Sequence, residues 1–272
     1  MLPVATIDVQ HVIGILEPLW KEKTETASRL RGRIESVLDW CTARGYRQGD
    51  NPARWRGHLD KLLPKRSKVQ RVQHHAAMAY GDLPAFYTSL AAQEGIGALA
   101  LRFTILTAAR TGEVIGARWS EIDGATWSVP AERMKGNRPH RVPLSEEALA
   151  ILETVRPLAS GPDNFIFSGM RKGTGLSNMS LSAALKRMGH GDITVHGFRS
   201  AFRDWCGEQT SYPREVCESA LAHVNADKVE AAYLRSDLFE RRSRLMRDWG
   251  AYCTTPRQPA GVVGIGGSRI AG

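Results

Sequence analysis

Apolar positions in the first third of the chain follow the 3.6-residue period of an α-helix. One stripe covers residues 9–16, with Asp8 as a candidate N-cap, and Pro18 is expected to end or kink this helix. A longer and more regular stripe covers residues 27–41. The first third of the chain is therefore predicted to be helical.

Capping residues predict where the second helix begins and ends. Thr24 or Thr26 can cap its start, and Gly45 suits its C-terminal stop. A third, short helix is expected over residues 51–63, opened by an Asn-Pro dipeptide.

The pattern changes after residue 80. Residues 97–109 are apolar on nearly every side, which is typical of a buried helix. Two runs with strand composition, residues 127–129 and 140–144, flank a turn-rich stretch and predict an antiparallel hairpin with Lys135 at its tip. More helices are expected between the glycine-rich breaks that follow. The predicted fold class is mainly α with a small antiparallel β-sheet.

Two segments have no core pattern. Residues 64–76 contain four positive charges, no acid and no useful apolar period, which predicts a basic linker. Residues 254–272 are rich in Gly and Pro and are expected to be disordered. The predicted organisation is a helical domain over 1–64, a linker over 65–76 and a larger domain over 77–253.

Composition narrows the class of protein. The chain has 272 residues, of which 42% are apolar, so it can bury a core and is neither wholly disordered nor a disulfide-stapled miniprotein. No run approaches the ~18 apolar residues of a membrane span. The first residues lack the layout of a secretory signal. Four widely spaced cysteines without a C-x-x-C pair fit a reduced cytosolic protein.

The formal net charge of +9 is concentrated near the N-terminus. Residues 1–75 hold fourteen Lys and Arg against eight Asp and Glu, a net +6, and the remainder carries +3. Such a basic region favours a polyanionic partner, with nucleic acid the first candidate and a membrane surface the second. The second helix and the linker supply the candidate phosphate contacts: Arg29, Arg33, Lys65, Arg66, Lys68 and Arg71. A solvated charged face is the plainer interpretation of the two helical arginines.

Several common catalytic motifs are missing from the sequence. It contains no G-x-x-x-x-G-K-[ST], no H-E-x-x-H, no G-x-S-x-G and no acidic cluster spaced for paired magnesium ions. What remains is an ordered set of cations and one tyrosine: Arg110, Lys135, His196, Arg199, His223 and Tyr233. Two arginines can fork the non-bridging oxygens of a phosphodiester, which favours phosphoryl chemistry. Each residue alone has a plainer structural explanation, so the hypothesis depends on the whole set.

In this order and local context, the set resembles the tyrosine recombinase (phage integrase) family, and especially the prophage-type integrases of bacterial genomic islands. The resemblance is carried by TAARTGEVIGARW at 107–119, HGFRSAFRDW at 196–205 and LAHVNADKVEAAYLRSDLFERR at 221–242. It implies a partial helical core-binding domain followed by a catalytic domain, without the N-terminal arm-binding domain.

The resemblance implies how the scissile phosphate would be held. Arg110 and Arg199 would clamp it, and His223 would donate a hydrogen bond to it. Glu113 could orient Arg110.

The resemblance also implies the covalent chemistry. Tyr233 would be the nucleophile and form a 3′-phosphotyrosyl link, so that rejoining needs neither ATP nor metal. Lys135 would protonate the departing 5′-oxygen, and His196 would assist proton transfer. If Tyr233 were not the nucleophile, Tyr252 and Tyr212 would be the next candidates.

The implied partners are double-stranded DNA attachment sites, three further copies of the chain in a homotetramer on DNA, and DNA-bending accessory proteins. No cofactor, metal ion or membrane is implied. The implied location is the bacterial cytoplasm, in association with the nucleoid.

Three other functions stay open on the sequence alone. A type IB topoisomerase-like enzyme would relax supercoils with similar chemistry. A DNA-binding integrase remnant would occupy sites without cutting. A basic helical protein without DNA affinity would show no salt-dependent binding.

Overall fold

The structure is a computed structural model that describes residues 2–65, 76–159, 161–171, 173–223 and 237–255. Several predictions fall outside these residues: the linker side chains Arg66, Lys68 and Arg71, the tyrosine Tyr233, and the tail beyond residue 255.

The chain divides into two compact units, residues 1–74 and 75–272. In the first unit, a 3-10 turn at Val4–Thr6 precedes α1 (Val9–Glu22) and α2 (Thr24–Ala43).

Asp8 caps α1 as predicted, because its carboxylate accepts the His11 N–H at 3.1 Å. Pro18 does not end the helix, which continues to Glu22. Leu16 and Trp20 lie on either side of Pro18 and are both buried. The packing of these two side chains offsets the loss of the one main-chain hydrogen bond that a proline cannot donate.

The predicted threonine caps of α2 are wrong. Lys23 is the N-cap residue, and its side chain makes no cap hydrogen bond. Thr24 and Thr26 are already helical, and the Thr24 hydroxyl donates to the Trp20 carbonyl at 2.8 Å. Because a single residue separates the helices, this hydroxyl meets the last turn of α1 instead of capping α2. Gly45 follows α2 with a φ of +75°, as its predicted role as a stop requires.

The predicted third helix over residues 51–63 is also wrong. These residues form turns and a 3-10 helix at Leu59–Lys61. The Asn51 side chain donates to a main-chain carbonyl of α2 at 2.8 Å and accepts the Ala53 N–H at 2.9 Å. Arg31 of α2 donates to the Ala53 carbonyl. Side chains thus bind the main-chain groups that a helix would use.

The facing sides of α1 and α2 form a small core. Val37, which belongs to the predicted apolar stripe, is instead 59% exposed. Trp20 stacks on Trp55, with ring centroids 5.4 Å apart, and its indole N–H donates to the Pro64 carbonyl at 2.9 Å. The buried members of this core are Val12, Leu16, Trp20, Ala27, Leu38, Ala53, Leu59 and Leu63.

The second unit contains eight α-helices and one sheet within the part of the chain that the structure describes. The helices are α3 (Leu83–Ala91), α4 (Ile96–Thr107), α5 (Thr111–Ile115), α6 (Glu146–Val155), α7 (Ser180–Arg187), α8 (Gly197–Gln209), α9 (Arg214–Ala220) and α10 (Phe239–Thr254). The strands are β1 (Ile122–Asp123), β2 (Thr126–Val129) and β3 (His140–Pro143).

The sheet is antiparallel with the order β1-β2-β3. The predicted hairpin is confirmed: Trp127 pairs with Val142, Val129 pairs with His140, and Lys135 lies in the connection. The short strand β1 was not predicted.

Helix α4 runs through the core of this unit, as its uniform apolarity predicted. Phe103 of α4 contacts the rings of Trp127 and Phe167, with centroids 5.4 and 5.5 Å away. Trp249 of α10 donates its indole N–H to the Ile105 carbonyl at 2.8 Å. The observed fold class is the predicted one, mainly helical with a small antiparallel sheet. Among the described helices, none combines the length and apolarity needed to cross a membrane.

Candidate active site

Arg110 is positioned by the junction between α4 and α5. Ala108 ends α4 in the left-handed conformation, with a φ of +48°, and Arg110 is the N-cap of α5. Glu113 accepts the Arg110 main-chain N–H at 2.8 Å and its Nη1 at 2.7 Å. The Glu113 side chain is 5% exposed, whereas that of Arg110 keeps 23%. Glu113 therefore orients Arg110, as predicted, and leaves part of the guanidinium accessible.

Arg199 lies in the first turn of α8 and is only 5% exposed. Its Nη1 donates to the Ala108 carbonyl, and its Nη2 donates to the Leu221 carbonyl at 2.6 Å. Its Nε has no hydrogen-bond partner within the described ranges. Burial, reinforced by the positive charge of Arg110, lowers the pKa of Arg199 to about 10, so the side chain is still protonated at neutral pH.

The two arginines are brought together although they lie 89 residues apart in the sequence. Arg199 binds the carbonyl two residues before Arg110, and the charge of Arg110 acts on it directly. Two like charges are unfavourable in a partly buried site, and Glu113 offsets part of that repulsion. The arrangement is a cationic site, whose charge would attract an anion.

His223 extends this site. Its Nε2 lies 3.4 Å from Nη2 of Arg199, and its Nδ1 lies 2.6 Å from Oε2 of Glu218. Glu218 also accepts from Nε of Arg203 at 2.8 Å. Burial alone would raise the pKa of Glu218, but the hydrogen bonds from His223 and Arg203 lower it below its usual value. The ionised carboxylate thus fixes the orientation of the imidazole.

His140 and Glu218 belong to the site, but the sequence patterns did not predict them as site residues. His140 begins β3, and burial, aided by the charges of Arg242 and Arg110, lowers its pKa to about 4. It is therefore neutral at pH 7, and it hydrogen-bonds the main chain of Ala220. The only sequence signal for Glu218 is an acid five residues before His223, and His140 was assigned only to a strand.

The other predicted residues are less constrained. Lys135 lies in the exposed turn between β2 and β3 and makes no hydrogen bond or ion pair to any described residue. His196 is the exposed N-cap of α8, three residues before Arg199. No hydrogen bond within the described ranges links Lys135 to the two arginines. Tyr233 lies outside those ranges, so its role stays a prediction.

The candidate DNA contacts in the first unit are exposed. Arg29 pairs with Glu25 at 2.9 Å, although its side chain keeps 74% exposure. Arg33 borders an apolar cavity of about 530 Å³ that is lined in part by Ile15. Lys65 is exposed at the end of the described part of this unit. Across the described residues, no group of three His, Cys, Asp or Glu side chains could hold a metal ion.

Position 197, directly after His196, requires glycine because the main chain of Ala76 and Ala77 passes close to it. A Cβ atom at this position would lie 2.5 Å from the Ala76 carbonyl oxygen and 2.8 Å from the Ala77 Cα. We expect Gly197→Ala to lower the free energy of unfolding by about 2 kcal/mol, because the main chain must shift to make room. Urea denaturation measures this change.

The matched control for that substitution is Gly207→Ala in the same helix, where a Cβ would meet no atom within 4 Å. This change should stabilise the protein by about 0.5–1 kcal/mol through helix propensity. Equal effects of the two substitutions would contradict the steric explanation.

Two family models match the sequence. The phage integrase central domain matches residues 1–58, and the phage integrase family matches residues 82–238. Prophage integrase IntA of Escherichia coli K12 is 43% identical over 148 residues, which cover 53% of this chain and 36% of IntA. Prophage integrase IntZ of the same strain is 31% identical over 253 residues, which cover 90% of this chain and 60% of IntZ. The chain thus spans less than two thirds of either relative.

Solved structures share the fold. A lambda integrase dimer bound to a COC′ core site matches with a TM-score of 0.60 at 17% identity, covering 87% of this chain and 82% of that one. A lambda integrase tetramer bound to a Holliday junction also matches with a TM-score of 0.60, at 16% identity. This match covers 82% of this chain and 66% of that one. The family match extends over more than half of the sequence and includes both arginines of the cationic site. The chain belongs to the phage integrase family of tyrosine recombinases.

Proposed function

We propose that this chain cuts and rejoins DNA at specific sites through a 3′-phosphotyrosyl intermediate. The observation that supports it most is the convergence of Arg110 and Arg199, with His223 beside them. The relatives IntA and IntZ are prophage integrases, and the lambda integrase structures described above contain DNA.

The cationic site suits a phosphodiester. Glu113 binds Nη1 of Arg110, and no described residue accepts a hydrogen bond from its Nη2 or Nε. Nη1 and Nη2 of Arg199 each carry two hydrogens and donate one to a main-chain carbonyl. The remaining donors of the two arginines could bind the two non-bridging oxygens of one phosphate. Negative charge grows on those oxygens in the transition state, and fixed donors stabilise it without reorganising.

In the proposed reaction, the Tyr233 phenol oxygen attacks phosphorus and loses its proton. A bond from the tyrosine oxygen to phosphorus forms as the bond from phosphorus to the 5′-oxygen breaks. Lys135 gives a proton to the departing 5′-oxygen, and His196 assists proton transfer. The number of phosphodiester bonds is conserved, so attack by a 5′-hydroxyl restores the strand without ATP.

His223 would act as a hydrogen-bond donor to the phosphate. With Glu218 ionised, the Nδ1–H of the imidazole points to the carboxylate. Donation to the phosphate then comes from Nε2, the ring atom near Arg199, once that atom carries a proton.

The first unit and the linker would hold the duplex through its phosphates. Arg29, Arg33 and Lys65 are exposed cations of the first unit, and Arg66, Lys68 and Arg71 continue the series along the chain. Such contacts position a protein on DNA without reading its sequence. By analogy with the lambda integrase tetramer on a Holliday junction, the working form would be a tetramer that exchanges strands between two duplexes.

The test is covalent trapping on nicked duplexes of random sequence, with sequencing of the captured ends. We expect wild-type protein to form an adduct that survives denaturation, and Tyr233→Phe to form none, because phenylalanine lacks the attacking oxygen. Denaturing gels measure the adduct, and fluorescence anisotropy should show that the variant still binds DNA.

Tyr212→Phe is the matched control. The Tyr212 hydroxyl donates to Asp248 at 2.7 Å, and burial together with this bond raises its pKa to about 12. The control should form the adduct normally. An adduct that persists in Tyr233→Phe would refute the assigned nucleophile. DNA binding without any adduct would favour a non-cutting remnant, and supercoil relaxation without exchange would favour a topoisomerase.

A further inference from the structure

Two of the four cysteines lie together in the second unit. Cys206 on α8 and Cys217 on α9 are 2% and 6% exposed, and each thiol shifts the pKa of the other. Cys41 belongs to the first unit, and Cys253 lies on α10. The proposed DNA chemistry uses neither member of the pair.

A small molecule can approach this pair. Both thiols line a cavity of about 270 Å³, whose walls include Arg203 and Arg214. These arginine side chains are 47% and 83% exposed, so the cavity borders the surface. A water molecule occupies about 30 Å³ in the liquid, so a peroxide fits easily.

The two thiols differ in reactivity. The neighbouring Cys206 thiol lowers the pKa of Cys217. The neighbouring Cys217 thiol, together with burial, raises the pKa of Cys206. Because the thiolate is the nucleophile, Cys217 would react first and Cys206 second.

We propose that Cys206 and Cys217 form a reversible disulfide when a peroxide enters this cavity. The Cys217 sulfur attacks one peroxide oxygen, the O–O bond breaks, and a sulfenic acid and one water form. The Cys206 sulfur then attacks the Cys217 sulfur, the S–O bond breaks, and a second water leaves. Two thiols are oxidised, one hydrogen peroxide is reduced, and a dithiol reductant reverses the change.

The pair is connected to the cationic site. One face of α8 carries Arg199, Arg203 and Cys206, because these residues are spaced four and three positions apart along the helix. Cys217 directly precedes Glu218, which binds both Arg203 and His223. Joining the two sulfurs pulls on the helix positions that hold this carboxylate. Its effect on DNA cleavage rests on the proposed function, whereas disulfide formation does not.

The test is to treat the full chain with hydrogen peroxide and to measure its intact mass. We expect a loss of about 2 Da, as one disulfide requires, which dithiothreitol reverses. Peptide mapping should place the bond between Cys206 and Cys217. An unchanged mass, a stable sulfenic acid without a disulfide, or a bond to another cysteine would overturn the proposal.

Two variants sharpen the result. The double variant Cys41→Ala/Cys253→Ala keeps only the pair and should lose the same mass, whereas Cys206→Ala should form no intramolecular disulfide.

In wild type, oxidation should lower covalent DNA linkage by about tenfold or more, because small displacements of site residues are costly. Disulfide formation with unchanged linkage would refute the connection to the site. If no condition yields DNA linkage, the proposed function fails, and the mass measurement still decides the disulfide.

Discussion

Replacing Arg199 with lysine should slow formation of the covalent DNA adduct by about 10²–10³-fold, the loss typical when one fixed donor to a developing negative charge is removed. Lysine keeps the positive charge but has one nitrogen in place of the planar fork. The arginine uses two nitrogens for the carbonyls of Ala108 and Leu221. A lysine cannot satisfy both carbonyls and still reach a phosphate oxygen. Single-turnover trapping on a nicked duplex measures the rate.

DNA affinity should change little in this variant, because phosphate contacts along the duplex supply most of the binding. The matched control is Arg118→Lys, since Arg118 donates to the Asp163 carbonyl and makes no hydrogen bond or ion pair to the cationic site among the described residues. A melting temperature for each variant separates loss of chemistry from loss of fold. Adduct formation at the wild-type rate in folded Arg199→Lys would remove this residue from the proposed clamp.

The sequence predicted the elements that one dominant pattern specifies. Helix α4 is apolar on all sides, and strands β2 and β3 combine β-forming residues with an intervening turn, so each was predicted correctly. The errors occur where a side chain binds a main-chain group of another element. Thr24 bonds to α1 and Asn51 bonds to α2, and neither bond leaves a signal in the local pattern.

The candidate site was only partly predictable for the same physical reason. Glu113 lies one helical turn after Arg110, so their contact follows from local geometry. The approach of Arg199 to the end of α4, by contrast, depends on how α8 packs against a helix about 90 residues earlier. Only the order of the whole set, through its family resemblance, indicated that these residues meet.

Glu218 and His140 show what such a resemblance leaves out. Glu218 matters because α9 places it between Arg203 and His223. His140 matters because β3 buries it beside Arg110 and Arg242. Both residues act through packing between elements, so residue type did not identify them, and the spacing of Glu218 from His223 was too weak a signal on its own.

Arg242 is the second position where a large effect is expected, here on stability. It is fully buried in α10, and its guanidinium donates to the carbonyls of Asp237 and Arg141, each at 2.6 Å. It also pairs with the Asp237 carboxylate at 3.1 Å. We expect Arg242→Met to lower the free energy of unfolding by about 3 kcal/mol, because two main-chain carbonyls lose a buried charged donor. Calorimetry should show a melting temperature lower by about 10 °C.

Arg141→Met provides the comparison, because it removes another arginine bound to the same carboxylate. Arg141 pairs with Asp237 at 2.7 Å, but its side chain is 53% exposed. Water can replace this exposed interaction, so the change should cost at most about 1 kcal/mol. Equal losses for Arg141→Met and Arg242→Met would mean that the charge pair with Asp237, and not the hydrogen bonds to the two carbonyls, determines the stability here. A larger loss for Arg242→Met would show that the buried guanidinium ties the start of α10 to strand β3, and through it to His140 beside the cationic site.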